Sequence, residues 1–131
     1  MTIWSWRGGY LELAHGRVLQ VVVANEPAFW TATEPRDWNV GGDRLWLGPE
    51  DDWFWSTDDH TDLNGHIVPP DIDPGCWTTE THDHHAELTM HAELTHRRTD
   101  EVTSVRVQRE IDLLTTTPNA VTYRTRTTLD V

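Results

Sequence analysis

The sequence predicts an all-β protein, an antiparallel β-sandwich, and three observations carry that prediction. Residues 84–96 alternate between apolar and polar, residues 105–113 and 121–131 repeat the alternation, and short polar loops join the runs. A period of two puts alternate side chains on opposite faces of a strand. No apolar stripe at i, i+3 and i+4 is sustained, so the helical alternative fails.

Near the amino terminus, Trp4 and Trp6 alternate with polar neighbours before an Arg7-Gly8-Gly9 turn. Tyr10 to Ala14 and Arg17 to Ala24 flank His15-Gly16, which reads as a short hairpin. Val21, Val22 and Val23 are β-branched, as a buried strand prefers. Asn25 to Trp38 loosens, with Pro27 and Pro35 expected to break any ladder.

Gly41-Gly42 then permits positive φ and close backbone approach ahead of Asp43. Arg44, Leu45, Trp46 and Leu47 are too few for a helix and are expected to form a short strand, which Pro49 ends. An arginine inside an apolar run needs an acceptor. Either Arg44 contacts a sugar or anion in a cleft, or it pairs with one of the nearby carboxylates. From Glu50 to Thr81 the chain is expected to be irregular, rich in Pro and Asp. Trp53, Phe54, Trp55, Ile67, Val68, Ile72 and Trp77 give this segment too much apolar surface for a solvated coil, and long ordered loops tend to be functional.

In the first alternating run His84, Ala86, Leu88, Met90, Ala92, Leu94 and His96 share one parity. The repeated His-Ala-Glu-Leu-Thr at 85–89 and 91–95 keeps that parity, so it lengthens one strand. Val105, Val107, Ile111 and Leu113 form the second apolar flank, and Val121, Tyr123, Leu129 and Val131 belong to the third. The predicted turns are Arg97 to Glu101 and Thr117-Pro118-Asn119. Eleven to thirteen residues at ~3.3 Å each span roughly 36–43 Å, about twice the usual strand. One apolar face requires a second sheet to cover it. The expectation is one domain over residues 1–131, the amino-terminal part of a larger sandwich or a subunit completed by association.

Eight Trp among 131 residues give each core position a large area, although hydrophobic content is only 37%. The net charge of −12 argues against nucleic acid or an anionic membrane as partner. All ten basic residues are Arg, which removes Schiff-base catalysis and a P-loop lysine. Cys76 is the single cysteine and is expected to be a buried structural thiol. No apolar leader follows Met1 and no run reaches membrane-spanning length, so a cytoplasmic location is the expectation.

The stretch 41–50, the downstream Pro69-Pro70-Asp71-Ile72-Asp73-Pro74-Gly75-Cys76-Trp77 and the strands after it resemble the amino-terminal part of galactose mutarotase-like proteins, more narrowly uncharacterised bacterial members. That resemblance implies a β-supersandwich of about twice this length or more, and a carbohydrate as ligand. Asp59-His60-Thr61-Asp62-Leu63-Asn64-Gly65 echoes the Asn-His-aromatic-Asn segment of aldose epimerases, with Asp62 at the aromatic position. The family's Glu base belongs to the carboxy-terminal portion, so any activity would be aldose 1-epimerase-like isomerisation completed by further chain.

On residue type, Arg44 and His60 are the expected polar contacts to a sugar, and Trp55 and Trp77 the flat platforms. At least one of Trp53, Trp55 and Trp77 is expected to be partly exposed in a groove. His82-Asp83-His84-His85 with Glu87 raises a metal reading, in which His82, His84 and Glu87 would act as in a cupin. In a continuous strand His82 and His84 share one face while His85 and Glu87 share the other, so at most two ligands converge. Solvated histidines are the simpler reading. Glu50-Asp51-Asp52 with Asp58-Asp59 could pair carboxylates for glycoside chemistry or form a solvated acidic loop. Asp71 and Asp73 lack an EF-hand's glycine spacing. No nucleophile elbow or dinucleotide fingerprint is present, and no cofactor is expected. The two principal readings are a carbohydrate-binding domain and an interaction module that pairs through an open sheet edge, with itself or a partner chain.

Overall fold

The computed structural model describes residues 1–34 and 39–131, so the ladder break expected at Pro35 lies outside the described residues. Two four-stranded antiparallel sheets, β1-β2-β3-β4 and β5-β6-β7-β8, make up the fold. The first comprises β1 (Thr2–Trp6), β2 (Gly9–Ala14), β3 (Arg17–Val23) and the two-residue β4 (Glu26–Pro27). Pro27 sits on that edge strand, where a missing N–H is tolerated. The turns Arg7-Gly8 and His15-Gly16 are tight because His15 (φ 52°), Gly16 (φ 70°) and Gly8 (φ 105°) adopt the left-handed region.

The second sheet comprises β5 (Thr78–His82), β6 (His85–Thr95), β7 (Val102–Thr117) and β8 (Ala120–Asp130). Alternation in β6 is the one predicted: Ala86, Leu88, Met90, Ala92 and Leu94 are buried, while Glu87, His91, Glu93 and Thr95 are exposed. The sheet has one strand more than the alternation revealed. Thr78–His82, which lies but for His82 within the segment expected to be irregular, pairs with β6, from Thr78 opposite Thr89 to His82 opposite His85. Its side chains are exposed and carry no apolar signal.

The sheets face each other through Trp4, Leu11, Leu13, Val18 and Val21 on one side and Ala86, Leu88 and Ile111 on the other. Full burial of each such aliphatic side chain contributes about 1.5–3 kcal/mol. Strands of 5–7 residues in the first sheet span roughly 17–23 Å, whereas the 11 residues of β6 and 16 of β7 span roughly 36–53 Å. The small sheet therefore covers only part of the large one. Residues 43–77 cover the adjoining part, with Ile72, Leu45, Leu47, Trp53 and Trp77 packed on Met90, Ala92, Leu94, Val105 and Val107.

That covering segment holds a four-residue helix α1 (Glu50–Trp53), a 3₁₀ turn (Leu63–Gly65) and a wide helical turn over Asp71–Gly75. Arg44 to Leu47 belongs to no strand, which corrects the expected one. Leu45 and Leu47 pack by their side chains on the apolar face of the second sheet. Cys76 is exposed, not buried. Its neighbour Trp77 takes the inward position, and Cys76 faces the other way. Among the described residues no helix is long and apolar enough to cross a membrane.

Candidate functional site: a groove between the sheet edges

A groove of about 350 Å³ opens where the edge strands β1 and β5 diverge. Thr2, His15, Trp77, Thr79 and Thr81 line it, above Leu13 and Leu88. Its volume falls at the small end of the ~300–1,000 Å³ range of small-molecule sites. Threonine hydroxyls and an imidazole beside an indole supply donors, acceptors and a flat apolar surface in one place.

Trp77 is fixed by two glycines. A Cβ on Gly16 would lie 2.1 Å from the indole, and one on Gly75 2.9 Å from Nε1. Positive φ at both positions (70° and 73°) further disfavours any side chain there. The indole Nε1 donates to the Pro74 carbonyl at 2.9 Å, which sets the orientation of the ring.

Behind the groove lies a buried ionic network. Asp73 is 2% exposed, and its two carboxylate oxygens accept from Arg17 and Arg44 respectively. The backbone at Asp73 leaves the surrounding helical turn (φ −139°, ψ 111°), which is how the carboxylate comes to lie inside. Arg17, itself 2% exposed, also donates to the His15 carbonyl at 3.1 Å and the Gly41 carbonyl at 3.2 Å. Arg109, 4% exposed on the inner face of β7, donates to the Gly16 carbonyl at 3.0 Å and to Asp43 Oδ2 at 3.0 Å. Burial pushes the Arg109 guanidinium below its ordinary pKa, and the Asp43 carboxylate opposes that shift. Two arginines thus hold the carbonyls of the His15-Gly16 turn that walls the groove.

Arg109 falls on the apolar parity of β7, between Val107 and Ile111. A charged residue on a core parity was the available signal, and the alternation alone passes over it. Arg17 and Asp73 gave no comparable signal, because their partners are 56 residues apart in sequence.

The four expected sugar contacts are not brought to one place. Trp77 lines the groove and is half-buried, as expected of one tryptophan there. Arg44 joins Asp73 and lies over the Trp46 ring at 4.3 Å, so the carboxylate-paired reading describes it. Trp55 is 8% exposed and covered by the His60 ring, whose centroid is 4.5 Å away. His60 is exposed, with Nε2 3.1 Å from Asp51 Oδ1. Trp55 is accordingly a support beneath His60 and presents no free platform. The acidic loop is largely engaged: Asp52 faces His96 at 3.2 Å, Asp58 faces Arg98 at 2.6 Å, and hydrogen bonds from Thr61 hold the Asp59 carboxyl below its ordinary pKa.

The histidine cluster is corrected by the β5–β6 hairpin. Asp83 and His84 form its two-residue turn, with Asp83 at φ 51°. His82 and His85 therefore pair across strands and share the outer face with Glu87, while the His84 ring meets Trp4 edge-on at 6.1 Å. His85 Nδ1 lies 2.7 Å from Asp112 and Nε2 3.4 Å from Glu87. Among the described residues no three His, Cys, Asp or Glu side chains converge as a metal site would require. A second hollow of about 420 Å³, at the end of β8, is lined by His91, Arg106 and Asp130 and contains no Trp, Tyr or Phe.

A family model matches residues 24–129. The chain belongs to DUF6786, a family of unknown function. No curated protein and no solved structure matches it. The DUF6786 match spans the glycine pair, the Asp73–Trp77 segment and the second sheet up to residue 129, and begins after β1, β2, β3 and all of the groove's first-sheet wall.

Proposed function

We propose that this DUF6786 chain binds a small neutral carbohydrate in the groove between β1 and β5. The observation that carries the reading is the Trp77 indole, clamped by Gly16 and Gly75 at the floor of a groove rimmed by Thr2, Thr79, Thr81 and His15. A sugar presents C–H surface to an aromatic face and hydroxyls to a polar rim. The acidic chain disfavours anionic ligands, which is compatible with an uncharged one. The resemblance to galactose mutarotase-like proteins supports the same ligand class. The proposal concerns recognition, with Trp77 as platform and the hydroxyl rim as polar contacts.

Titrating neutral monosaccharides while following amide NMR shifts tests it. Shifts confined to Thr2, His15, Trp77, Thr79 and Thr81 at millimolar sugar, and lost in Trp77→Ala, are the expected result. No shifts, or shifts centred on His60 and Asp51, would overturn the groove assignment.

A further inference from the structure

We infer that the ligand of the groove is an oligosaccharide: an uncharged sugar chain that starts on Trp77, crosses the His15-Gly16 turn and continues into a second site on the outer face of the first sheet. The inference rests on the carbohydrate reading of the groove and narrows its substrate class. A hollow of about 560 Å³ lies on that outer face, lined by Tyr10, Glu12, Thr31, Thr33 and Glu34. His15 lines this hollow and the Trp77 groove alike. Two hollows on opposite faces of one hairpin therefore meet at a single exposed side chain.

The pleat of β2 makes this arrangement. Leu11 and Leu13 turn into the core, so Tyr10 and Glu12 turn outward. The turn between the hollows is held from below, with Gly16 against the Trp77 indole and the turn's carbonyls bound by Arg17 and Arg109. The far wall is held as well. Buried Gln20 accepts from the Phe29 N–H at 3.0 Å and donates to the Phe29 carbonyl at 2.7 Å, and Thr31 bridges to Gly41.

The second hollow repeats the chemistry of the groove. Tyr10 supplies an aromatic ring, Thr31 and Thr33 supply hydroxyls, and Leu19 and Val40 add apolar surface. Glu12 and Glu34 add carboxylates, which accept from sugar hydroxyls and repel an anionic chain. The steps from Tyr10 to His15 along the strand cover roughly 17 Å at ~3.3 Å each. One sugar ring therefore occupies one hollow, and a ligand that reaches both has several rings. His15, at the crossing, offers a donor and an acceptor to the linking unit.

The test is titration of the chain with glucose, galactose and mannose and with their 1,4-linked oligomers of two to four units, in both anomeric forms, followed by calorimetry and amide NMR. Monosaccharide shifts should stay in the groove. Trisaccharide shifts should extend to Tyr10, Glu12, Thr31 and Thr33, with Kd lower by about tenfold or more, because the second site is then engaged within one complex. Tyr10→Ala and Glu12→Ala should each cut that gain about fivefold, read as the ratio of trisaccharide to monosaccharide affinity on the same variant. Glu12 is half-exposed on the outer flank, so its truncation spares the core if Tyr10→Ala does not fold. A monosaccharide that moves Trp77 while no oligomer binds more tightly or moves Tyr10 and Glu12 would overturn the extended chain and leave the groove reading standing. A gain with length that survives both variants would overturn it too. No shift at Trp77 with any of these sugars removes both readings together.

Discussion

Arg109 on the long sheet donates to the Gly16 carbonyl on the short sheet at 3.0 Å. That bond ties the wall of the groove to the opposite layer of the sandwich. The same guanidinium reaches the Asp43 carbonyl at 3.1 Å, so one side chain anchors both the hairpin turn and the start of the covering segment. Arg109 and Arg17 hold the carbonyls of the turn at the place where Gly16 meets the Trp77 indole.

Replacing Arg109 by Met keeps much of the volume and removes the donors. The Gly16 and Asp43 carbonyls and the Asp43 carboxylate then lose a partner. Asp43 is half-exposed and can turn to water, so the loss should fall at or below the lower end of the roughly 3–5 kcal/mol typical of a broken buried pair. Urea unfolding measures it. Sugar-induced shifts at His15 should weaken in parallel.

Asp73→Asn preserves shape and removes the charge that faces both Arg17 and Arg44. Arg17 is then buried without an anion, and a destabilisation of about 3–5 kcal/mol follows. Replacing Arg17 by Met and Asp73 by Leu together should cost less than either change predicts alone, because no charge is stranded at that pair. A double-mutant cycle by chemical denaturation reads the coupling.

Gly16→Ala places a methyl group inside the Trp77 ring contact at a backbone φ of 70°. The φ cost alone is about 1 kcal/mol, and displacement of the indole adds to it. A change in tryptophan emission together with lost sugar response is expected. Unchanged emission would show that Trp77 does not rest on this turn.

Stability should depend on pH through His85 and Asp112. Hydrogen bonds donated by the imidazole to Asp112 and then to Glu87 raise the His85 pKa above its ordinary value of 6.5. The charged imidazole's contribution is therefore complete below about 6.5 and is lost as pH rises through the higher folded-state value. Hydrogen bonds from Arg124 and then His85 hold Asp112 below 3.8, so its contribution is present above that value and is lost as pH falls through the lower folded value. Both contributions are therefore full between these limits. The pair is only partly buried, so solvent screens it and the effect is small, and His85→Gln should flatten the alkaline side of the melting-temperature profile.

The second sheet was legible because its signal is local. Parity along β6 and β7 follows from the pleat, and hydrophobic burial on one face enforces it without reference to the rest of the chain. The His15-Gly16 hairpin was legible for a similar reason, since a two-residue turn needs left-handed backbone that glycine supplies. β5 was not legible: both flanks of Thr78–His82 are exposed, and only pairing with β6 makes it a strand. Its presence turns the chain back at Asp83-His84, which moves His82 to the face of His85 and leaves His84 against Trp4.

The sequence by itself determined that Arg44 needs an acceptor and that the aromatic-rich segment from Glu50 to Thr81 packs down. Tertiary structure decided which anion, which surface and which neighbours. A charge interacts with whatever the fold brings within a few ångströms, and Asp73 reaches Arg17 and Arg44 only after residues 43–77 lie across the long sheet. Alternation is written in consecutive residues, whereas a groove is made of side chains that meet only when the layers close.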